Sequence, residues 1–337
     1  MVELKSILKF ILVCCVGLLG AGCSQSEPTD RADEYVQSVA RALDRNILVM
    51  PADPRPSFPS QRELRIPLTA LKIDVVEFAQ LHSCDMGGLV GRRNSPTGRL
   101  QGNSQRLMYE LEWLERVRSC ELGSTAWLQE LTMTKENQIP ALWWNAIMAG
   151  PEMQHVFSAA TQQLTSDSEP LFNLGYLRQA SLGEVRAKLE PNLYQLKTRV
   201  HARNMLQRWQ KLVISLSAVS ENLNKRVPPV CLTAQPNNRS RRLLAAFRHY
   251  YLPWQAEFSG QIAADGEWVN AYAQIVNTTA VDQPQSFKTW YGQTLQLDNP
   301  TSLWNQVNNA IVEHSRAWQE LLASCGQTVQ DIATEPT

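Results

Sequence analysis

An excess of either charge is missing from this chain: 32 lysines and arginines stand against 32 aspartates and glutamates, so no global field draws it towards nucleic acid or anionic lipid. Histidine is scarce, five in 337 residues, and scattered. With no CxxC pair to help, zinc ligation has no framework, and we expect no metal and no cofactor. No nucleophile elbow, phosphate loop or HExxH occurs. Acidic residues are too evenly spread to single out a pair of catalytic carboxylates. A sustained alternating strand pattern is also absent, which points to an all-α class.

What is present begins at the N-terminus. MVELKSILK carries two lysines and one glutamate, FILVCCVGLLGAG then runs uncharged for about 13 residues, and polar SQSEPTD follows. That is a signal-peptide layout, and the run is too short for a spanning helix, which needs about 20 residues. Gly20, Ala21 and Gly22 stand directly before Cys23, with Leu18 and Leu19 upstream. The arrangement resembles the lipobox of bacterial lipoproteins, with Gly20 where leucine is usual. The resemblance implies a diacylglycerol thioether and an N-acyl chain on Cys23, and more than one chain makes anchoring stable. Ser24 in the next position implies the outer membrane. We therefore expect a signal peptide over 1–22, a lipidated tether over 23–30 and a helical periplasmic domain over 31–330. Removing 1–22 takes away Lys5, Lys9 and Glu3 and leaves a net charge of −1.

Cysteine usage agrees with export. Cys14 and Cys15 leave with the leader and Cys23 takes lipid, so four remain: Cys84, Cys120, Cys231 and Cys325. An even number in an oxidising compartment suggests two disulfides with three possible connectivities. We favour Cys84 with Cys120 and Cys231 with Cys325, each bridge closing one half of the chain. The chain-entropy model gives roughly 4 to 5 kcal/mol for loops of about 37 and 95 residues.

The apolar spacing is helical throughout. Tyr35, Val39, Leu43 and Ile47 recur every four residues before PADPRPSFP, with its four prolines, breaks the pattern into an extended surface segment. Asp74 with Glu77 predicts a helix start that continues to about Arg93, weakened at Gly87, Gly88 and Gly91. Asn103 or Ser104 is expected to cap a helix through Leu107, Leu111, Trp113, Leu114 and Val117. Helices are predicted around 127–131, 141–149 and 153–164, interrupted at Pro140 and Pro151. Leu189 to Val200 and Met205 to Leu223 read as one long helix or two collinear ones, with Pro191 opening the second. RRLLAAFRHYYLPWQAEF reads as a helix bent or stopped near Pro253, with EWVNAYAQIV as the next. Trp304, Val307, Ile311, His314, Trp318, Leu321 and Cys325 step by three and four over a last long helix, which puts Cys325 on a packed seam. The expected fold is a multi-helix, bundle-like body with long heptad-patterned helices, braced by two disulfides.

Within HSCDMGGLVGRRNSPTGRLQGNSQRLMYELEWLERVRSC lie Cys84, the apolar pair Leu89 and Val90, Arg93-Asn94-Ser95, Gly98, Ser104-Gln105-Arg106, Tyr109-Glu110 and Cys120. This pattern resembles the uncharacterised "domain of unknown function 3080" family of gammaproteobacterial lipoproteins, directly over about 40 residues. The glycines of 87–91 and Asn103, where proline is expected, depart from it. The resemblance implies an envelope lipoprotein and carries no established activity.

Two readings of that segment stay open. In one, Arg92, Arg93, Arg99 and Arg106 cradle an anionic group with Asn94, Ser95 and Ser104, while Tyr109, Glu110 and Glu112 supply polar handles. In the other, which we favour, the same side chains cap two helices and stitch their loop. Glu110 and Glu112, two apart, do not share a helix face. Most of the ten tryptophans fall on apolar stripes. Trp143 and Trp144 are left open as core or as an exposed platform. The expected role is a non-enzymatic binding or scaffold protein, held to the outer membrane through Cys23 and engaging an envelope protein or cell-wall component. The alternative is a periplasmic enzyme or small-ligand binder centred on Arg93 to Glu110.

Overall fold

The computed structural model describes residues 28–51, 54, 56–121, 125–158, 167–199, 202–225, 230–231 and 237–328. Cys23 and the leader expected over 1–22 lie outside them. The first described helix, α1 (Pro28–Leu43), already takes in the end of the segment expected as tether. Its four-residue rhythm puts Tyr35, Val39 and Leu43 on one buried stripe, and Asp44, at φ 52°, turns the chain out of the helix.

Fourteen further α-helices follow among the described residues, and no strand: α2 (Gln61–Leu64), α3 (Val75–Gln80), α4 (Gly87–Asn94), α5 (Pro96–Arg99), α6 (Asn103–Arg118), α7 (Ala126–Ile147), α8 (Pro151–Ser158), α9 (Glu169–Tyr176), α10 (Leu182–Arg199), α11 (Ala202–Asn224), α12 (Asn238–Ala246), α13 (Leu252–Thr278), α14 (Gln285–Thr294) and α15 (Leu303–Ser324). The all-α expectation holds. The pairs α11 with α15, α6 with α7 and α9 with α13 make the most extensive contacts, and α1 packs on both α11 and α12.

Two apolar clusters result. The larger joins α1, the second half of α7 and α8 to α15. The smaller contains Leu81, Met86, Leu89, Val90, Trp113, Leu114, Val117, Leu128 and Leu131, and Ile139 touches both. Each cluster carries one of the favoured disulfides: Cys84–Cys120 closes the smaller and Cys231–Cys325 ties the larger, with Cα–Cα distances of 5.1 and 5.3 Å.

Several predicted boundaries are corrected. The helix from Asp74 does not reach Arg93. It ends in a 3₁₀ turn over Leu81–Cys84, and Asp85, at φ 53°, reverses the backbone before α4. Aspartate is one of the few non-glycine residues that visit that left-handed region, and here Arg116 Nη1 donates to Asp85 O at 2.9 Å across the turn. Pro140 and Pro191 sit inside α7 and α10 rather than dividing or opening helices. The carbonyls that lose a donor belong to Glu136 and Ala187, both exposed residues, so the missing bonds fall on the solvent side of each helix. Near Pro253 the expected interruption takes a specific form, between the end of α12 at Ala246 and the start of α13 at Leu252. Phe247–Tyr251 forms a π turn in which the Leu252 N–H bonds Phe247 O, and that widened turn admits the proline ring at the start of α13. The helix expected over 153–164 is seen as α8, with 159–166 outside the described residues.

Candidate functional site

Residues 59–73 form a strap that is extended apart from α2, whose start is closed by a reciprocal Ser60 and Glu63 capping box. An extended segment without a sheet partner must find other groups for its backbone, and side chains of two helices provide them. Gln154 donates to Pro59 O at 2.7 Å, Trp144 Nε1 to Leu64 O at 2.7 Å and Gln138 to Thr69 O at 3.1 Å. Asn145 accepts the Ile66 N–H and returns its own amide to Ile66 O, both at 2.8 Å. This settles the tryptophan pair. Residues 142–150 are buried on every side, so Trp143 and Trp144 both belong to the core although they point about 100° apart.

The strap and the loop before α6 meet at Asn103. Its amide donates to Asn145 O at 2.9 Å, and its Oδ1 accepts from Arg65 Nη2 at 3.2 Å. The expected cap role does not fall to Asn103 or Ser104: Gly102 is the N-cap, and Gln105 reaches back to its N–H at 2.9 Å. Glycine there offers no side-chain acceptor to the first turn. That leaves Asn103 free to link α6, the strap and α7.

Ahead of it, Arg93, Ser95 and Gly98 build one tight turn. Ser95 Oγ caps α5 by accepting the Gly98 N–H at 3.0 Å and donates to Arg92 O at 2.7 Å, while Arg93 Nη1 donates to Gly98 O at 2.5 Å. A Cβ on residue 98 would lie 2.1 Å from Arg92 O and 2.6 Å from Arg93 O, so only glycine fits. Asn94 is exposed and Ser104 half-buried in the first turn of α6. The stitching reading accounts for Arg93, Ser95 and Gly98.

The acidic residues separate as their two-residue spacing requires. Glu110 is buried and ion-paired with Lys135 of α7 at 2.5 Å, and the ammonium lies 4.7 Å from the Trp113 ring centroid and 5.4 Å from that of Tyr109. Glu112 faces Arg116 at 2.7 Å, Arg186 at 3.5 Å and Arg92 at 3.6 Å. Arg93, Arg106, Tyr109 and Glu110 do share one electrostatic neighbourhood. Burial raises the Tyr109 phenol beyond its usual range, Glu110 adds to this and Arg93 opposes it. Burial lowers Arg106, Glu110 opposes, and Arg93 and Arg65 lower it further.

Sequence reasoning missed Arg65, Lys135 and Asn145. All three reach this neighbourhood only through the strap and α7, 28 or more residues from Arg93. A capping pair at Ser60 and Glu63 was the available signal that the strap is fixed.

Two buried polar networks lie elsewhere. In one, Trp318 Nε1–H donates to Tyr35 Oη at 2.8 Å and the Tyr35 hydroxyl to His314 Nε2 at 2.8 Å. His314 Nδ1 meets Ser220 Oγ at 2.9 Å, and the serine hydroxyl donates to Leu216 O at 2.7 Å. With Nδ1 protonated the donors and acceptors of this chain match, and the Trp318 N–H also lies 3.1 Å from His314 Nε2. Ser220 beside His314 has the separation of a nucleophile and its base, but the serine proton is committed to a helix carbonyl and His314 is fully covered. The pair is core structure. In the other network, Asp265 Oδ2 accepts from Arg208 Nη2 at 2.5 Å and Trp209 Nε1 at 2.8 Å. Burial raises the Asp265 carboxyl, against the pull of Arg208.

Among the described residues no group of three or more His, Cys, Asp or Glu is placed to hold a metal ion. Compared with known proteins, a protein-family model matches residues 32–329, nearly all of the described body. No curated protein and no solved structure matches the chain.

Proposed function

The chain belongs to the family described as "Protein of unknown function (DUF3080)", and from that premise we propose a lipid-anchored protein of the bacterial envelope whose helical body binds or scaffolds another envelope component. The observation that carries this reading is the pairing of Cys84 with Cys120 and Cys231 with Cys325. Structural disulfides persist in oxidising compartments and are rare in the cytosol of mesophiles. The signal-peptide layout and the small residues before Cys23 supply the matching address, the outer membrane on its periplasmic side. No helix among the described residues is long and apolar enough to cross a membrane; the anchor in this proposal is lipid on Cys23.

A binding role is supported by how the polar residues are used. Arg93, Ser95 and Asn103 hold the loop and strap in place, and Glu110 is covered and engaged by Lys135. Ser220 and His314 are sealed in the core. Intact mass and palmitate labelling of the membrane-extracted protein, with a non-reducing thiol count, test the reading. We expect a chain that begins at Cys23, carries palmitate, loses it in Cys23→Ala and has no free thiol. An unlabelled chain, or four free thiols, would overturn it.

A further inference from the structure

We infer that Arg65, Arg93 and Arg106, gathered where the strap, the Arg93 turn and the start of α6 meet, form a binding site for a phosphoryl group. Elsewhere in the body the arginines of comparable clusters are neutralised: Glu112 serves Arg92, Arg116 and Arg186, and Asp44 serves Arg239 and Arg242. Among the described residues, no carboxylate is ion-paired with Arg65, Arg93 or Arg106. The nearby carboxylate, Glu110, is taken by Lys135 at 2.5 Å. Folding has placed like charges together, and the half-buried Arg106 feels both of the others.

The cations are also pre-positioned. Arg65 is held by Asn103 Oδ1 and Arg93 by Gly98 O, each through one terminal nitrogen, and among the described residues the rest of each donor fork has no partner. Arg106 Nε is covered and has no acceptor among the described residues, an arrangement that costs free energy until an acceptor arrives. Asn103 and Arg106 are three apart on α6 and so share a face, which places Arg65 beside Arg106. The N-terminus of α6, capped by glycine, adds its positive end to the same region.

A bound water would satisfy Arg106 Nε but leave three positive charges unbalanced. A carboxylate offers two oxygens, which one guanidinium fork can fill. A phosphoryl group offers three or more acceptors and up to two negative charges, the match for several forks at once. The phosphate is either free or the terminal group of a lipid headgroup, and the test separates them. It does not depend on whether Cys23 is lipidated.

The experiment uses the full chain in a non-ionic detergent at fixed ionic strength. One arm titrates inorganic phosphate calorimetrically. The other follows thermal stability in micelles doped with phosphatidic acid, whose terminal phosphate keeps three free oxygens, or, as a charge control, with a fatty acid. Saturable binding is expected in at least one phosphoryl arm, weakened about tenfold or more by Arg65→Gln and by Arg106→Gln, with helical circular dichroism unchanged. Response to inorganic phosphate assigns a soluble ligand, and response to the doped micelles alone assigns a headgroup. Arg65 is exposed, so Arg65→Gln decides the matter if Arg106→Gln fails to fold. No response in either arm, an equal response to the fatty acid, or unchanged binding in Arg65→Gln overturns the site.

Discussion

The Tyr35 hydroxyl donates to His314 Nε2 at 2.8 Å, joining two residues 279 positions apart in the centre of the larger core. Around that bond Tyr251 and Trp254 lie 5.3 and 5.7 Å from the Tyr35 ring, and Trp318 closes the far side. Both ends of the described body are thereby committed to one polar chain. Its protonation state becomes a property of the whole fold.

That commitment predicts acid sensitivity. Burial lowers the His314 pKa from 6.5 to about 3, opposed by a hydrogen bond to Leu216. In the unfolded chain the imidazole takes a proton near pH 6.5; in the folded one it stays neutral. The unfolded state therefore binds more protons between those values, and stability is lost as pH falls below about 6.5 towards 3. The slope from this residue approaches about 1.4 kcal/mol per pH unit. Urea unfolding at pH 7, 6, 5 and 4 should show the decline, and His314→Gln should lower stability at pH 7 while flattening the profile. A variant with the parental slope would contradict the assignment.

Glu110 and Lys135 give a second test. Lys135→Met leaves a covered carboxylate without its partner and should cost about 3–5 kcal/mol, because breaking one side of a buried pair exposes its full desolvation penalty. Lys135→Met combined with Glu110→Leu removes both charges and should recover most of that loss, since apolar replacement of a buried pair is often neutral. A double-mutant cycle by urea denaturation reads the coupling. Additive losses would show that the pair is not coupled as the 2.5 Å contact implies.

What the sequence disclosed divides along physical lines. The disulfides, the all-α class and the stripes through Tyr35, Leu212 and Trp318 were legible because apolar periodicity and cysteine parity are local signals. Pro140 and Pro191 misled because the cost of proline depends on whether the carbonyl it orphans is exposed, which is not written in the residue itself, whereas the irregularity expected near Pro253 is there as a π turn. Asp85 gave no warning of its left-handed turn, whose carbonyl is met by Arg116 from 31 residues away. The candidate site was half visible. Arg93, Arg106 and Tyr109 lie in one segment, whereas Arg65 arrives on a strap whose path is fixed by Trp144 and Asn145, and only tertiary structure brings those together.

Glycine positions 91 and 98 should respond in opposite ways to the same change. At Gly98 a methyl group meets backbone oxygens at 2.1 and 2.6 Å, which cannot move aside as a flexible side chain would. Gly98→Ala should therefore break the Arg93 turn, cost more than about 2 kcal/mol as other strained core changes do, and abolish the proposed phosphoryl binding. Gly91 lies inside α4 with nothing within 4 Å of an added Cβ. Gly91→Ala should be neutral or stabilise by up to about 1 kcal/mol through helix propensity. Thermal denaturation of the two variants checks the contrast; equal effects would mean that the turn does not have the geometry described.

The two disulfides should protect different parts of the body. Cys84–Cys120 closes a 36-residue separation around the smaller cluster, which α3, α4, α6 and the first half of α7 share. Cys231–Cys325 spans 94 residues and ties the segment after α11 to the end of α15. The smaller cluster has fewer apolar side chains to oppose the chain entropy, and a cross-link of this loop length contributes about 4 kcal/mol in the chain-entropy model. Cys84→Ser with Cys120→Ser should thus release the smaller cluster as a local opening unit. Hydrogen exchange followed by mass spectrometry should show lost protection over residues 75–121 while α11 and α15 keep theirs. Uniform loss across the chain would instead make both clusters a single cooperative unit, and the tie through Ile139, which touches both, would then dominate over the local bridge.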